Sequence, residues 1–304
     1  MGKKEVAPPA RGVYAALVTP RPQNSVEADV AALFDYIDAV SSKGVDGLVL
    51  FGSTGEFVHY DVTERMRVLM LAKRRCRIPL LVNVAHSTLA GAMELAEDAI
   101  EAGVAGLLLM PPYYFHYTGG QIAEFYRQFM KEVHGKTPVY LYNIPQFTDA
   151  IPPEVMDELL GSGAFAGIKD SSGDWNSFER LLALRAKQPF QLIIGNDAIY
   201  RRARAMGADG IVSGVAAAVP ELLVALERAI VANDDARADE LDGRLQEFLE
   251  WLGRFPATVG IKVAASARGW KMAHTAVPYD ERTLAAKGEF ENWLKDWLKL
   301  ASWS

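Results

Sequence analysis

The chain is short of cysteine: its 304 residues include one, Cys76. A single thiol builds no disulfide framework within a chain and no cysteine zinc site. Lys73, Arg74, Arg75 and Arg77 surround it and could lower its pKa, although an incidental thiol near a helix end is the plainer reading. Long apolar runs are also missing. None approaches the roughly eighteen residues of a membrane span. Residues 1–10 are charged and then proline-rich, without an apolar signal core. A loose N-terminal arm over 1–10, no membrane partner and a cytoplasmic location are the expectations. A basic stripe is absent: 32 Lys and Arg stand against 38 Asp and Glu, mixed along the chain, for a net charge of -6. Nucleic acid is therefore not an expected partner. No G-x-G-x-x-G follows the first strand-like run and there is no P-loop, which disfavours a nucleotide fold. The five histidines, His59, His86, His116, His134 and His274, are scattered, with no pair at ligand spacing on one helix. No metal site is expected from them. His59 and His116 fall in loops where they could touch a substrate, but a solvated or packing role is the simpler assignment.

What is present is apolar and periodic. Half the residues are hydrophobic and 23% are charged, enough for a large core. Strand-like runs over 13–19, 47–51, 79–84, 106–110, 139–143, 165–169, 191–195 and 210–213 alternate with amphipathic stretches over 28–42, 62–75, 88–102, 120–133, 153–161, 177–187 and 198–206. Each gap is long enough for a crossover helix, so the strands should be parallel. The segment Gly44-Val45-Asp46-Gly47-Leu48-Val49-Leu50 recurs as Gly103-Val104-Ala105-Gly106-Leu107-Leu108-Leu109 and as Gly207-Ala208-Asp209-Gly210-Ile211-Val212. In each, glycine supplies a left-handed helix stop before a buried strand. The pattern predicts a closed (β/α)8 TIM barrel over 11–231. Further helical patterns over 220–233, 234–251, 259–268 and 280–298 predict a last barrel helix and an appended C-terminal helical layer over 232–304.

In such a barrel the chemistry lies at the carboxyl ends of the strands. Lys169 ends the run Ala164-Phe165-Ala166-Gly167-Ile168-Lys169. By strand alternation Phe165, Gly167 and Lys169 share one face, and Ala166 and Ile168 the other. If the small apolar face packs under a helix, Lys169 points the opposite way. A lysine at the end of a buried strand can act as a neutral amine that attacks a ketone and forms a Schiff base. Most lysines so placed are simply solvated, and the segment alone leaves both readings open. The second strand ends in Gly52-Ser53-Thr54-Gly55-Glu56, whose N–H groups and hydroxyls could cradle a small carboxylate. An ordinary turn with a capping hydroxyl is the plainer account. Tyr113, Tyr114 and Tyr142 stand at strand ends, where tyrosines usually pack with a wet hydroxyl. The seventh strand ends in Gly195-Asn196-Asp197, and the eighth leads into Ser213-Gly214.

Taken together, Ala16-Leu17-Val18-Thr19-Pro20, Gly52-Ser53-Thr54-Gly55-Glu56, Tyr113-Tyr114, Tyr142-Asn143-Ile144-Pro145, Gly167-Ile168-Lys169-Asp170-Ser171-Ser172, Gly195-Asn196-Asp197 and Gly210-Ile211-Val212-Ser213 occur in a specific order. In that order they resemble the family of pyruvate-dependent class I aldolases that includes N-acetylneuraminate lyase and dihydrodipicolinate synthase. The resemblance implies that Lys169 is the Schiff-base lysine, Tyr142 the general acid/base and Thr54 the hydroxyl linking Tyr142 to a second tyrosine. It makes Tyr114 that second tyrosine, donated across a subunit interface in a homotetramer built from two dimers. Ser53 and Thr54, on the Gly52 turn, match the clamp for the pyruvate carboxylate. Val212 matches a position lining the pyruvyl end, and Gly195 and Asp197 lie in the matching substrate loop. No metal or organic cofactor is implied, because the iminium is itself the electron sink.

Two departures bear on the second substrate. Where dihydrodipicolinate synthase places an arginine for that substrate's carboxylate, this chain has Phe147. Loss of a charge-assisted bidentate contact disfavours an acidic aldehyde. Where sialic acid lyase has a glutamate and a serine, this chain has Ala198 and Gly214, leaving fewer contacts for a long polyol. With Phe115 and Phe147 apolar, the leading expectation is an aldolase for a 2-keto-3-deoxy sugar acid or a 4-hydroxy-2-oxo acid, taking pyruvate and an aldehyde. The alternatives are a 2-keto-3-deoxy acid dehydratase using the same iminium, dihydrodipicolinate synthase with its arginine supplied elsewhere, and a non-catalytic binder of 2-oxo acids.

Overall fold

The computed structural model describes residues 10–272 and 274–300. The arm expected over 1–10 lies outside the described residues except for Ala10. Ala10 is buried, with its N–H donating to Gln191 Oε1 at 3.1 Å and its carbonyl accepting from Gln191 Nε2 at 2.7 Å. At that residue the chain is fastened rather than loose.

Strands and helices alternate: β1 (Gly12–Ala16), α1 (Val30–Ser41), β2 (Gly47–Leu50), α2 (Val62–Arg75), β3 (Leu80–Asn83), α3 (Leu89–Glu101), β4 (Gly106–Leu109) and α4 (Gly119–Val133). Then follow β5 (Val139–Asn143), α5 (Pro153–Gly161), β6 (Gly167–Asp170), α6 (Trp175–Arg185), β7 (Gln191–Ile194), α7 (Tyr200–Ala205), β8 (Gly210–Ser213) and α8 (Pro220–Val231). The C-terminal helices are α9 (Asp235–Leu252), α10 (Val259–Ala267) and α11 (Glu281–Leu300). The eight strands close into a barrel in chain order, with parallel pairing. The TIM barrel with appended helices is thus the fold the periodicity anticipates. Nearly every strand residue is buried, as parallel strands covered on both faces require.

Local sequence sets the boundaries. Asp29, Asp61 and Thr88 accept N–H groups at the starts of α1, α2 and α3, and Thr118 with Gln121 forms a full capping box on α4. Pro153 and Pro220 open α5 and α8, where a missing N–H costs nothing. The three recurrent glycines, Gly44, Gly103 and Gly207, all take positive φ. One expected helix, over 198–206, starts differently. Asn196 accepts the Ala198 N–H at 3.0 Å, so Asp197–Ile199 forms a 3-10 turn and α7 is only 6 residues long. Cys76 is buried, and burial pushes its thiol pKa up despite Lys73, so the nearby cations do not activate it.

By compactness the chain divides into two units. One holds residues 10–12 with Pro79–Val212, and the other holds Val13–Ile78 with residues 213–300. In the first, Tyr126 is buried, donates to the Leu109 carbonyl at 3.0 Å and meets Phe165 edge-on. The Tyr140 hydroxyl closes on Gln191 at 2.5 Å.

In the second unit an ion pair ties α8 to the end of α10. Arg268 donates two 2.7 Å bonds to the Glu221 carboxylate and a third bond to the Ala218 carbonyl at 2.9 Å. Lys43 lies 3.1 Å from the same carboxylate. Trp270 packs on Tyr36 at 5.2 Å, and the Tyr36 hydroxyl donates to the Ala217 carbonyl. Beyond it, Phe248 and Trp251 of α9 meet Phe290, Trp293 and Trp297 of α11, with ring centroids 5.4–6.4 Å apart. This aromatic seam gives the C-terminal helices a core of their own.

The Glu221 pair carries a pH signature. Burial alone would raise the carboxyl, but the Arg268 bonds and charge outweigh it and bring the pKa from 4.5 to about 2. A depressed carboxyl stabilises the fold above its unfolded pKa. That contribution is lost as pH falls from about 4.5 towards about 2. At about 1.4 kcal/mol per unit, it amounts to about 3 kcal/mol at neutral pH. Thermal melts across this window are expected to show a steeper acid limb for the wild type than for Glu221→Gln. Parallel limbs would mean that the pair contributes no such stability.

Candidate active site

Lys169 is the third residue of β6 and sits in register with Tyr142 of β5. Both are buried, at 4% and 2% exposure. Register neighbours on parallel strands point to the same face, so the lysine lies along the tyrosine ring, with Nζ 3.9 Å from its centroid. Past the end of β7, Gly195 leaves the space that the lysine stem occupies. A Cβ at Gly195 would come within 2.8 Å of Lys169 Cε and collide with Ser171 Oγ. Only a residue without a side chain lets β6 and β7 run this close beside the lysine. Ser171 Oγ is buried and has no hydrogen-bond partner among the described residues.

The residues flanking this pair hold it in place. Asn143 Nδ2 donates to Asp170 Oδ1 at 2.8 Å, while Asn143 Oδ1 accepts the Ile151 N–H at 3.1 Å. Asp170 also accepts from the Ser172 hydroxyl at 2.9 Å and the Ser172 N–H at 3.1 Å. Burial raises the Asp170 pKa, and these donors counter only part of it. Gln146 Nε2 donates to the Ser171 carbonyl at 3.2 Å. Each of Asn143 and Asp170 is the last residue of its strand, so the network locks β5 to β6 one residue beyond the Tyr142–Lys169 pair. Nothing in the local sequence pattern alone pairs Asn143 with Asp170. The signal of the network was the adjacency of two polar residues to the tyrosine and the lysine at strand ends.

The rim of this unit is aromatic. Tyr114, Phe115 and Phe147 are 86%, 66% and 55% exposed. Tyr114 and Phe115 form an edge-on pair at 4.9 Å. Tyr114 has φ 83, a left-handed backbone that costs a non-glycine residue about 1–3 kcal/mol. Among the described residues, none buries the ring in return. His116 Nδ1 meets Asp149 Oδ1 at 2.8 Å, and Tyr117 N–H donates to Asp149 Oδ2 at 2.7 Å, joining the loops after β4 and β5. Those bonds hold the Asp149 carboxyl below its usual range. Val212 is buried within β8, and Asp197 opens the 3-10 turn after β7.

The second unit carries the loop after β2. Phe51 and Glu56 flank it, both with left-handed φ, at 55 and 54. Gly55 N–H donates to the Gly52 carbonyl at 2.9 Å and Glu56 N–H to the Ser53 carbonyl at 3.0 Å. Those two N–H groups therefore close the turn rather than stand open to an anion. Thr19 Oγ1 secures the turn on the Gly55 carbonyl at 2.8 Å. A Cβ at Gly214 would lie 3.3 Å from Thr54 Oγ1, so Thr54 points to the loop after β8. Among the described residues, no group of three or more His, Cys, Asp or Glu side chains is placed to hold a metal ion. No helix among them is long and apolar enough to cross a membrane.

The chain matches the Dihydrodipicolinate synthetase family over residues 9–297. It is 33% identical over 285 residues to the 4-hydroxy-tetrahydrodipicolinate synthase of Salinibacter ruber, covering 90% of this chain and 91% of the relative. It is 28% identical over 268 residues to the enzyme of that name from Methanococcoides burtonii, covering 88% and 91%. Among solved structures it superposes with a TM-score of 0.87 and 25% identity on YagE, a prophage protein of the dihydrodipicolinic acid synthase family from E. coli K12 in complex with pyruvate. That match covers 94% of this chain and 98% of the other. The resemblance read from the strand-end motifs is thereby established: the chain belongs to the dihydrodipicolinate synthetase family, whose members are lyases working through a pyruvate–lysine Schiff base.

Proposed function

We propose that Lys169 condenses with pyruvate or a 2-oxo acid, and that the chain cleaves or forms a 2-keto-3-deoxy sugar acid or a 4-hydroxy-2-oxo acid. The observation that carries this reading is the buried Lys169 Nζ, 3.9 Å from the centre of the Tyr142 ring, with its stem in the gap left by Gly195. An unprotonated amine attacks C2 of the oxo acid to give a carbinolamine, and water leaves to give an iminium. In the cleavage direction the C3–C4 bond breaks. Its electron pair moves into the enamine, and the C4 hydroxyl loses its proton as the aldehyde departs. Tyr142 is the proposed carrier of that proton, as it is for the water lost from the carbinolamine. The enamine then takes a proton at C3, and hydrolysis frees pyruvate. Ser53 and Thr54 are the proposed carboxylate clamp, with the Thr54 hydroxyl also linking Tyr142 to Tyr114. Gly52, Val212, Gly195 and Asp197 are proposed to shape the substrate's surroundings.

Phe147 argues against an acidic aldehyde. It is exposed, and it offers no cation for a second carboxylate. Dihydrodipicolinate synthase stays as the second reading because the Salinibacter ruber relative, at 33% identity, carries that name. Product analysis separates the two. Cleavage of a 2-keto-3-deoxy acid to pyruvate plus an aldehyde supports the aldolase, and formation of 4-hydroxy-tetrahydrodipicolinate from pyruvate and an acidic aldehyde supports the synthase. The exposed and strained Tyr114 fits a residue completed by a neighbouring copy, in a homotetramer made of two dimers.

Three tests follow from the geometry. Borohydride reduction in excess pyruvate should convert the iminium to a secondary amine and leave one 1-carboxyethyl group on Lys169; an unmodified Lys169 at saturating pyruvate rejects the assignment. Gly195→Ala should lower that labelling rate at least tenfold while far-UV circular dichroism stays that of the wild type; labelling at the wild-type rate would show that the gap does not matter. Tyr114→Phe should reduce kcat by ten- to a hundredfold with the melting temperature within 2–3 °C or so of the wild type, a surface substitution usually costing under about 0.5 kcal/mol. Undiminished turnover would remove Tyr114 from the account.

A further inference from the structure

A cleft of about 560 Å³ in the second unit is formed by Arg21 and the segment following it, by His59, and by the residues from His274 to Tyr279. None of these residues belongs to the groups described above. Arg21 is 5% exposed. One guanidinium nitrogen donates to the Ser25 carbonyl at 2.9 Å, another reaches the His59 carbonyl at 3.5 Å, and Cζ stands 4.3 Å from the Tyr60 ring centroid. Its Nε is buried and has no hydrogen-bond partner among the described residues.

The surrounding charges do not balance it. Among the described residues Arg21 makes no ion pair. Glu56 is taken by the buried Lys262, which also donates to the His274 carbonyl at 3.3 Å. Glu64 is taken by Arg67 through bonds of 2.6 and 2.7 Å and by the Ala28 N–H at 2.7 Å. Burial lowers the Lys262 pKa, Glu56 opposes this, and the Arg21 charge lowers it further, so the two cations repel each other. A buried guanidinium that faces two carbonyls and Tyr60 and makes no ion pair lacks a paired counter-charge, and its planar donors match the oxygens of a carboxylate or a phosphate. The cleft also presents His59, His274 and Tyr279 as hydrogen-bonding groups, while the Thr275 hydroxyl donates to the Val277 carbonyl at 2.7 Å.

We propose that this cleft is a binding site for a small ligand bearing an oxyanion, carboxylate or phosphate, seated on Arg21. The cleft shares no lining residue with the Lys169 group, so its test needs no turnover. Isothermal titration of the full chain with sodium phosphate, and separately with disodium succinate, is compared with sodium chloride at equal ionic strength. Saturable binding of one anion at one site per chain is expected, and the anion that binds distinguishes the phosphate source from the carboxylate source. Arg21→Met should weaken it at least tenfold. His59→Ala, at a more exposed position, should weaken it several-fold, and it keeps the test decisive if Arg21→Met does not fold. Binding of neither anion above the chloride control, or equal binding by wild type and His59→Ala, overturns the proposal.

Discussion

The contact between the Lys169 amine and the Tyr142 ring is the constraint on which the rest of the site depends. Parallel pairing puts the two side chains next to each other on one face, and burial removes competing water. The contact exists because Gly195 has no side chain: an alanine there would occupy the volume of the lysine stem. An added methyl group there would force the Lys169 stem or the Ser171 hydroxyl to shift.

The polar residues one position further along act as a brace. Asn143 and Asp170 join the two strand ends by a buried bond at 2.8 Å, and Asn143 reaches on to the Ile151 backbone. A buried polar group left unpaired would cost about 1–3 kcal/mol, so the network is either complete or destabilising. Here the Asp170 oxygens accept bonds from Asn143 and Ser172. Rigid placement of a nucleophile by packing and hydrogen bonds is what a covalent mechanism asks of its scaffold. The rim makes a different contribution. Tyr114, Phe115 and Phe147 leave apolar area exposed there and carry no positive charge.

Much of this was legible in the sequence. Strand order and number followed from apolar runs separated by crossover-length helices, and Gly44, Gly103 and Gly207 marked helix stops that do adopt positive φ. Lys169 and Tyr142 were readable as strand-end residues. What could not be read was anything that depends on two segments meeting. The role of Gly195 requires knowing that Lys169 and Ser171 lie across from it. The pairing of Asn143 with Asp170 spans 27 positions and shows no periodicity. In the loop after β2, the sequence offered several N–H donors, but backbone geometry uses those of Gly55 and Glu56 to close the turn. The helix over 198–206 was shortened by the Asn196 side chain competing for a backbone N–H.

The central claim is that Lys169 Nζ becomes covalently joined to the keto carbon of pyruvate. Crystals of the full chain grown with pyruvate test it most directly. The account predicts continuous density from Nζ to C2 of the bound molecule, planar at the new C=N bond. Intact pyruvate with its keto oxygen in place, beside an unmodified Lys169, would contradict it.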